Sequence, residues 1–396
     1  MRVSNKEAKR IILDSVVIKD DEIVTIDEAY GRVLAEDLRA KYNIPEVRKS
    51  AIDGYALNFN DNSKPKSFKV IGESKAGDSK AKEIKEAEAV FVMTGAIVPD
   101  SAKCMVRVED TAQKDGEVLI NCDYHPGEMI NEIGCEVKEN ETVLKKGELL
   151  DYRKVAMISD IGYYQIKVFQ KPKIGIVVTG DEVKESWQES EKSGVKNSNF
   201  YILKGMLKNF ADITYYGIAK DEPEALEGVF AKALENSDIL LSSGGVSKGK
   251  YDFTKDVASK IGLEIKFNQT AIKPGKPLVF GVKDKKLFFG LPGYPSALLL
   301  NANEYLLPAV RKMCGMSRFE NTLFKAVVEG KMKAKKGVTN IIRATLEFKD
   351  GKIFAKSTKN QQTSNFLSMM QSSAFVVIDE EAESLGDGDL VDCYTI

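Results

Sequence analysis

One short stretch, residues 239–252, limits the folds open to this chain more than any other. Three consecutive apolar residues, Ile239 to Leu241, are typical of a parallel β-strand that is covered on both faces. The strand runs into Ser-Ser-Gly-Gly-Val-Ser-Lys-Gly, whose glycines permit backbone dihedrals that other residues avoid. Asp252 then suits the start of a helix, and a helix N-terminus favours phosphate. A plain strand-to-helix turn fits the same residues, so this stretch alone leaves both interpretations open.

The surrounding residues, 171–315, alternate short apolar segments with helical patterns. This alternation predicts an α/β domain built on an open parallel sheet. In such sheets, ligands bind beyond the carboxyl ends of the strands. Four predicted strand ends carry glycine, hydroxyl or charged residues: Thr179-Gly-Asp-Glu182, Lys220-Asp-Glu-Pro223, Ser242 to Asp252, and Gly290 to Pro295. We therefore expect a ligand site along this edge of the sheet.

Three acidic residues at these strand ends, Glu182, Asp221 and Asp252, offer oxygen ligands of the kind that Mg²⁺ shares with substrate phosphates. Each one alone is better explained as a helix cap, and Asp221 in particular lies two residues before a proline that suits a first helical turn. The segment Lys273-Pro-Gly-Lys-Pro277 adds two ammonium groups on a loop stiffened by proline. It predicts an anion clamp, with a solvated basic turn as the alternative.

The rest of the chain predicts three further domains, so that the fold class is α/β multidomain. A scaffold of helical and β character is discontinuous, and a β-rich domain is inserted into it. A compact β domain follows the α/β domain at the C-terminus. The predicted boundaries are 1–40 with 128–170 for the scaffold, 41–127 for the insert, 171–315 for the α/β domain and 316–396 for the C-terminal domain.

Overall charge and cysteine usage exclude several function classes. The 58 Lys and Arg residues balance 59 Asp and Glu residues, so no global charge favours nucleic acid or a membrane surface. The five cysteines are scattered without a C-x-x-C pair, which indicates reduced thiols and a cytoplasmic location. A single histidine excludes metal clusters built from histidine.

Six motifs, in order along the chain, resemble the molybdopterin molybdenumtransferase family, which includes the gephyrin E domain. They are Asp53-Gly-Tyr-Ala, Met93-Thr-Gly-Ala, Thr179-Gly-Asp-Glu, Ser242-Ser-Gly-Gly-Val-Ser, Lys273-Pro-Gly-Lys-Pro and Gly290-Leu-Pro-Gly-x-Pro. The resemblance implies a molybdopterin-binding α/β domain within a four-domain homodimer. It also implies insertion of molybdate into adenylylated molybdopterin with release of AMP, a role for Mg²⁺, and the molybdopterin adenylyltransferase as a candidate partner.

The resemblance assigns functional positions residue by residue. The catalytic positions are Asp53, Thr94, Glu182, Asp221 and Asp252, of which the last three are assigned to the metal. Pro292 and Pro295 shape a loop that closes the site. The chemistry of the residues themselves, rather than the resemblance, predicts that ammonium, hydroxyl and backbone N–H donors bind the oxyanion or the substrate phosphates, and these residues are Ser242, Ser243, Gly244, Gly245, Ser247, Lys248, Lys273 and Lys276. Three residues depart from the family pattern: Lys248 replaces a small apolar residue, Tyr294 replaces a frequent asparagine, and Asn131 stands where arginine is common.

Asp53 and Thr94 fall in the predicted insert, whereas the other assigned residues fall in the α/β domain. Sharing one site across a two-fold interface would combine them, which is a second reason to expect a homodimer. Two other functions fit the sequence: a gephyrin-like scaffold protein, and a related molybdopterin-processing enzyme such as an adenylyltransferase or a homologue that prefers tungstate. The sequence does not locate the oxyanion pocket.

Overall fold

The computed structural model describes residues 1–60, 62–189, 193–245 and 253–396. Within these, the chain divides into two compact units. The larger unit comprises Met1–Glu36, Lys146–Asp151 and Ile166–Ile396, and the smaller comprises Asp37–Lys145 and Tyr152–Gln165. The predicted α/β multidomain architecture is confirmed, and the four predicted domain boundaries stay predictions.

The larger unit contains a seven-stranded sheet. Its strands, from one edge to the other, are Arg2–Val3, Glu264–Thr270, Pro277–Lys283, Lys286–Leu291, Ile239–Ser243, Lys173–Thr179 and Asp212–Ala219. Only Pro277–Lys283 runs against its neighbours among these strands. The sequence predicted a parallel sheet, and the reversal arises because Asp284, at φ +53°, closes a tight hairpin into Lys286–Leu291.

Helices cover both faces of this sheet. The larger unit contains the helices Asn5–Asp14, Asn199–Leu207, Pro223–Glu235, Thr254–Lys260, Pro295–Asn301, Leu307–Met313 and Phe366–Gln371, together with the 3₁₀ turn Ile26–Glu28 and the π-helical segment Ala302–Leu306. Leu240 packs in the core under helix Pro223–Glu235, whereas Ile239 and Leu241 pack in the core under helix Asn199–Leu207. All three side chains are fully buried, so the prediction of a strand covered on both faces is confirmed.

The C-terminal part of the larger unit is a β-barrel of five strands. Thr339–Lys349, Lys352–Ser357, Phe324–Glu329, Leu390–Thr395 and Ala374–Ile378 pair in this order, and the last pairs back with the first. The short strand Ile272–Lys273 adds to the barrel by pairing with Thr339 and Asn340. This pairing fixes the start of the predicted lysine loop.

The smaller unit contains a six-stranded sheet, as the sequence predicted for a β-rich region. Its strands are Cys104–Arg107, Gly54–Leu57, Glu88–Val92, Ser67–Ser74, Glu117–Ile120 and Thr111–Lys114. The helix Tyr152–Asp160, the 3₁₀ turn Val108–Asp110 and the short strands Leu38–Arg39, Lys49–Ser50, Ile130–Asn131 and Thr142–Leu144 complete the unit. The remaining short strands of the chain are Asp21–Thr25, Gln165–Phe169, Val183–Lys184, Val195–Lys196, Met332–Lys333 and Ser384–Leu385. Across the described ranges, no helix has both the length and the apolar character needed to cross a membrane.

Candidate functional site

A cavity of about 780 Å³ lies at the carboxyl ends of strands Lys173–Thr179 and Ile239–Ser243. Its lining comes from loops that follow the strands, chiefly segments 178–180, 195–199, 243–245 and 292–295. Seven residues predicted from the sequence line it together: Glu182, Asp221, Ser243, Gly244, Gly245, Pro292 and Pro295. The position of the cavity follows from the sheet, because parallel strands deliver their following loops to one edge.

The glycine loop needs its glycines. Gly244 has φ +110°, and a Cβ atom there would lie 2.6 Å from Thr179 Oγ1. Gly245 has φ +63°, and its Cβ would lie 2.6 Å from Thr254 Oγ1. Both the backbone conformation and the lack of space therefore exclude residues with a Cβ atom at these two positions. Glycine lets the loop pass close to Thr179 and Thr254.

Asn199, at the start of helix Asn199–Leu207, is a site residue that the sequence did not identify. Its Nδ2 donates to Ser243 Oγ at 2.7 Å and to the Gly293 carbonyl at 2.7 Å. Only 8% of Asn199 is exposed, and its Oδ1 has no hydrogen-bond partner among the described residues. The two contacts span 44 and 94 positions of the chain, so local sequence patterns carry no trace of them.

A second buried network holds the neighbouring part of the lining. Asn197 Nδ2 donates to Tyr215 Oη at 2.8 Å and to Glu185 Oε2 at 3.3 Å, and Tyr215 donates to Glu185. Burial, and then the hydrogen bond to Glu185, raise the pKa of Tyr215 above its ordinary value. The network joins the strand pair Val183–Lys184 and Val195–Lys196 to the central sheet.

Charge in the described lining is unevenly distributed. Glu182 and Asp221 contribute carboxylates, and Lys196 is the single cationic residue among the described lining residues. The Lys196 ammonium donates to the carbonyls of Gln188 and Glu185. Two carboxylates in one cavity suit Mg²⁺, which is usually held by one or two carboxylates and completed by waters and substrate phosphates. Within the described ranges, no group of three or more His, Cys, Asp or Glu residues could hold a metal by itself.

The structure places the other predicted substrate residues differently. Ser242 is fully buried inside strand Ile239–Ser243 and is absent from the lining, because alternate strand residues face opposite sides of the sheet. Lys273 and Lys276 line a separate cavity of about 200 Å³ with Arg2 and Lys335. Gly275, between the two lysines, lines both cavities. The predicted residues Ser247, Lys248 and Asp252 lie outside the described residues.

Arg343, in the barrel strand Thr339–Lys349, is a buried cation that the sequence did not single out. Only 2% of it is exposed, and its Nε and Nη1 have no partner among the described residues. Its Nη2 donates to the carbonyls of Asn360 and Gln362, each at 3.0 Å. These contacts hold the loop that brings Thr363 to the lining of the main cavity.

Asp53 and Thr94 meet in the smaller unit. Asp53 precedes strand Gly54–Leu57 and Thr94 follows strand Glu88–Val92, and the antiparallel pairing of Gly54 with Val92 brings them together. Thr94 donates to Asp53 Oδ1 from its backbone N–H at 2.6 Å and from Oγ1 at 3.0 Å. The backbone N–H, more than the hydroxyl, holds the pKa of Asp53 below its usual value. The pair therefore presents an ionised carboxylate on an exposed surface.

Comparison with known proteins identifies the family of this chain. Three family models match in succession: the MoeA N-terminal region (domain I and II) over residues 3–162, a probable molybdopterin binding domain over 175–312, and the MoeA C-terminal region (domain IV) over 325–396. A Staphylococcus epidermidis protein named molybdopterin molybdenumtransferase is 33% identical over 349 residues, which are 86% of this chain and 83% of that protein. The chain belongs to the molybdopterin molybdenumtransferase family.

Two further matches extend over nearly all of the chain. A Haemophilus influenzae protein of the same name is 29% identical over 374 residues, covering 93% of this chain and 92% of its own length. The crystal structure of a molybdopterin biosynthesis moeA protein from Pyrococcus horikoshii OT3 has a TM-score of 0.86 at 28% identity and covers 100% of both chains. The family resemblance in the sequence is thereby confirmed.

Two of the three departures from the family pattern fall on described residues. Tyr294 lines the main cavity and keeps 61% of its surface exposed, so its ring is available to stack on a planar ligand. Asn131 lies in the smaller unit, where its strand pairs with Lys49. Lys248, the third departure, lies outside the described residues.

Proposed function

We propose that this enzyme inserts molybdate into adenylylated molybdopterin, with AMP released and the molybdenum cofactor formed. Membership of the molybdopterin molybdenumtransferase family supports the reaction class. The single structural observation that supports the proposal is the 780 Å³ cavity, which combines carboxylates, a glycine loop and an exposed aromatic ring at the edge of the sheet. A cavity of this size accommodates a ligand with two ring systems joined by phosphates.

Glu182 and Asp221 are the described residues that would hold Mg²⁺, with Asp252 as the predicted third ligand. When bound, the ion would offset the phosphate charge that develops as the phosphoanhydride bond is cleaved. Ser243 and the glycine loop orient the phosphates, and Tyr294 offers a face for a ring. Pro292 and Pro295 stiffen the loop 292–295, which also lines the cavity. Little conformational entropy of this loop is therefore lost when a ligand binds.

Molybdate is a compact dianion, and we assign it to the basic cavity that adjoins the main one. Lys273, Lys276, Arg2 and Lys335 line this cavity and form no ion pair with any carboxylate among the described residues. Point-charge ammonium groups suit such an oxyanion. Arg343 lies on the barrel strand that pairs with Ile272–Lys273, and its buried Nε and Nη1, which have no partner in the part of the chain that the structure describes, are a second candidate source of donors.

We also propose an oligomeric state, a partner enzyme and a cellular location for this enzyme. We propose a homodimer in which Asp53 and Thr94 serve the same reaction as Glu182 and Asp221, because the two pairs lie in different units of one chain. The molybdopterin adenylyltransferase is the proposed supplier of the substrate, since the substrate is its product. Five free cysteines, three of them buried, support a reducing cytoplasmic location.

The deciding experiment measures AMP release from adenylylated molybdopterin under single-turnover conditions. We expect release that requires both Mg²⁺ and molybdate, together with formation of the molybdenum cofactor. A protein that binds the substrate but releases no AMP would be a scaffold. AMP release that does not depend on molybdate would indicate a different molybdopterin-processing enzyme. Faster turnover with tungstate than with molybdate would show that tungsten is the metal inserted.

A further inference from the structure

The hydrogen bond between Asn199 and Ser243 fixes the direction of the Ser243 hydroxyl. Asn199 Nδ2 carries two N–H groups and uses them on Ser243 Oγ and on the Gly293 carbonyl. Because a carbonyl only accepts, the contact with Gly293 determines which end of the amide is the donor. Ser243 Oγ therefore accepts from Asn199, and its own hydrogen must point elsewhere.

That hydrogen has no acceptor among the described residues, although Ser243 is only 1% exposed. Ser243 lines the main cavity, and its hydroxyl makes no other hydrogen bond with the described residues. The acceptor it needs must come from outside the described chain. A phosphate oxygen is the strongest such acceptor that the proposed substrate would bring, since bonds to a charged acceptor are about twice as strong as neutral ones.

We infer that Asn199 is a positioning residue that makes Ser243 a hydrogen-bond donor to a phosphate oxygen of the ligand. The inference rests on the proposed function for the identity of the ligand. The same amide also ties the loop containing Gly293 to the end of strand Ile239–Ser243. At that point the two loops are close, since a Cβ on Gly293 would lie 3.7 Å from Gly244 Cα. Asn199 thus both directs the donor and holds the two loops together beside it.

Two substitutions separate this role from a general effect on folding. Asn199→Asp keeps the shape of the side chain but removes both donors and places a carboxylate against the Gly293 carbonyl. Ser243→Ala removes only the hydroxyl. Asn236→Asp is the matched control, because Asn236 is exposed and its amide, within the described residues, donates only to the Lys232 carbonyl of the helix that it follows.

The measurement is equilibrium binding of AMP and of adenosine, with the free energy of unfolding of each variant recorded in parallel. We expect Asn199→Asp and Ser243→Ala each to weaken AMP binding about 10-fold and to leave adenosine binding unchanged. The double variant should bind AMP no more weakly than the worse single variant, because both changes remove the same donor. Asn236→Asp should bind both ligands as the unsubstituted protein does.

Additive losses in the double variant would overturn the inference, since the two residues would then act independently. Equal losses for AMP and adenosine would also overturn it, as would unchanged AMP binding in Ser243→Ala, which is informative even if Asn199→Asp does not fold. If the unsubstituted protein does not bind AMP, then AMP is not a ligand of this site and the inference is wrong. A protein that binds AMP through Ser243 yet inserts no molybdenum would keep this inference and refute the proposed function.

Discussion

The carboxylate of Asp53 accepts two hydrogen bonds from one residue, Thr94, which lies 41 positions further along the chain. The backbone N–H contributes more than the hydroxyl to the lowered pKa of Asp53. The carboxylate is therefore ionised at neutral pH, and it becomes protonated only at a pH below the usual range for aspartate. This pair is held by the register of two antiparallel strands rather than by any local motif.

Replacing Thr94 with valine tests the order of these two contributions. Thr94→Val removes the hydroxyl and keeps the backbone N–H, so we expect the pKa of Asp53 to rise only part of the way to its ordinary value. Because the folded-state pKa is depressed, any stabilisation from this carboxylate is present at neutral pH and is lost as the pH falls through the folded pKa. Titration of the Asp53 carboxyl by carbon NMR measures the shift.

A matched variant controls for the loss of a threonine hydroxyl in the same unit. Thr111 donates to the Val108 carbonyl and touches no carboxylate through that bond. Thr111→Val should leave the Asp53 titration unchanged. A complete return of the Asp53 pKa to its ordinary value in Thr94→Val would show that the hydroxyl, not the backbone, is the main cause.

Substitution by alanine should change the free energy of unfolding in opposite directions at Gly244 and at Gly228. In Gly244→Ala the new Cβ would lie 2.6 Å from Thr179 Oγ1 and 2.7 Å from the Thr179 carbonyl oxygen, at φ +110°. We expect a loss of about 2 kcal/mol or more in the free energy of unfolding, and loss of substrate binding. Gly228 lies in helix Pro223–Glu235, and a Cβ added there would meet no neighbouring side chain within 4 Å, so Gly228→Ala should stabilise by about 0.5–1 kcal/mol.

Denaturant unfolding of both variants, beside AMP binding, checks this pair. An unaffected stability in Gly244→Ala would mean that the loop relaxes freely and that its glycines are not required by the close approach to Thr179. Gly228→Ala should leave AMP binding unchanged, because the residue is not part of the described cavity lining.

The sequence predicted the parts of the fold that depend on local pattern. The buried strand at Ile239–Ser243, the glycine loop after it and the cluster of strand ends all follow from apolar runs and glycine positions. Asn199 and Arg343 were missed because their partners are distant in sequence or are backbone carbonyls, and neither leaves a local trace. A strand near Leu278–Phe280 was predicted, but the antiparallel direction of strand Pro277–Lys283 was missed because the two-residue turn at Asp284 and Lys285 carries no glycine.

Subunit mixing tests the proposed homodimer. Asp53 and Thr94 belong to the smaller unit of the chain, and Glu182 and Asp221 belong to the larger. If residues from two subunits serve one reaction, Asp53→Ala and Glu182→Ala should each be inactive alone. Their mixture should regain activity through heterodimers with about one intact site each. Sedimentation measures the assembly state, and a fully active monomer would exclude the shared site.

Lys276 decides where molybdate binds. Lys276 lines the basic cavity of about 200 Å³ with Lys273, Arg2 and Lys335, and it is absent from the described lining of the main cavity. We expect Lys276→Ala to raise the molybdate concentration needed for insertion by about 10-fold, because a charged hydrogen bond to a dianion is lost. Binding of the adenylylated pterin, titrated separately, should change by less than about 2-fold, since that ligand is assigned to the other cavity.

Lys283→Ala is the control for this prediction. The Lys283 ammonium donates to the Ile261 carbonyl, and Lys283 lines neither cavity in the described structure. An unchanged molybdate requirement combined with weaker pterin binding would assign Lys276 to the substrate phosphates, and Arg343→Lys would then become the next test of the oxyanion pocket.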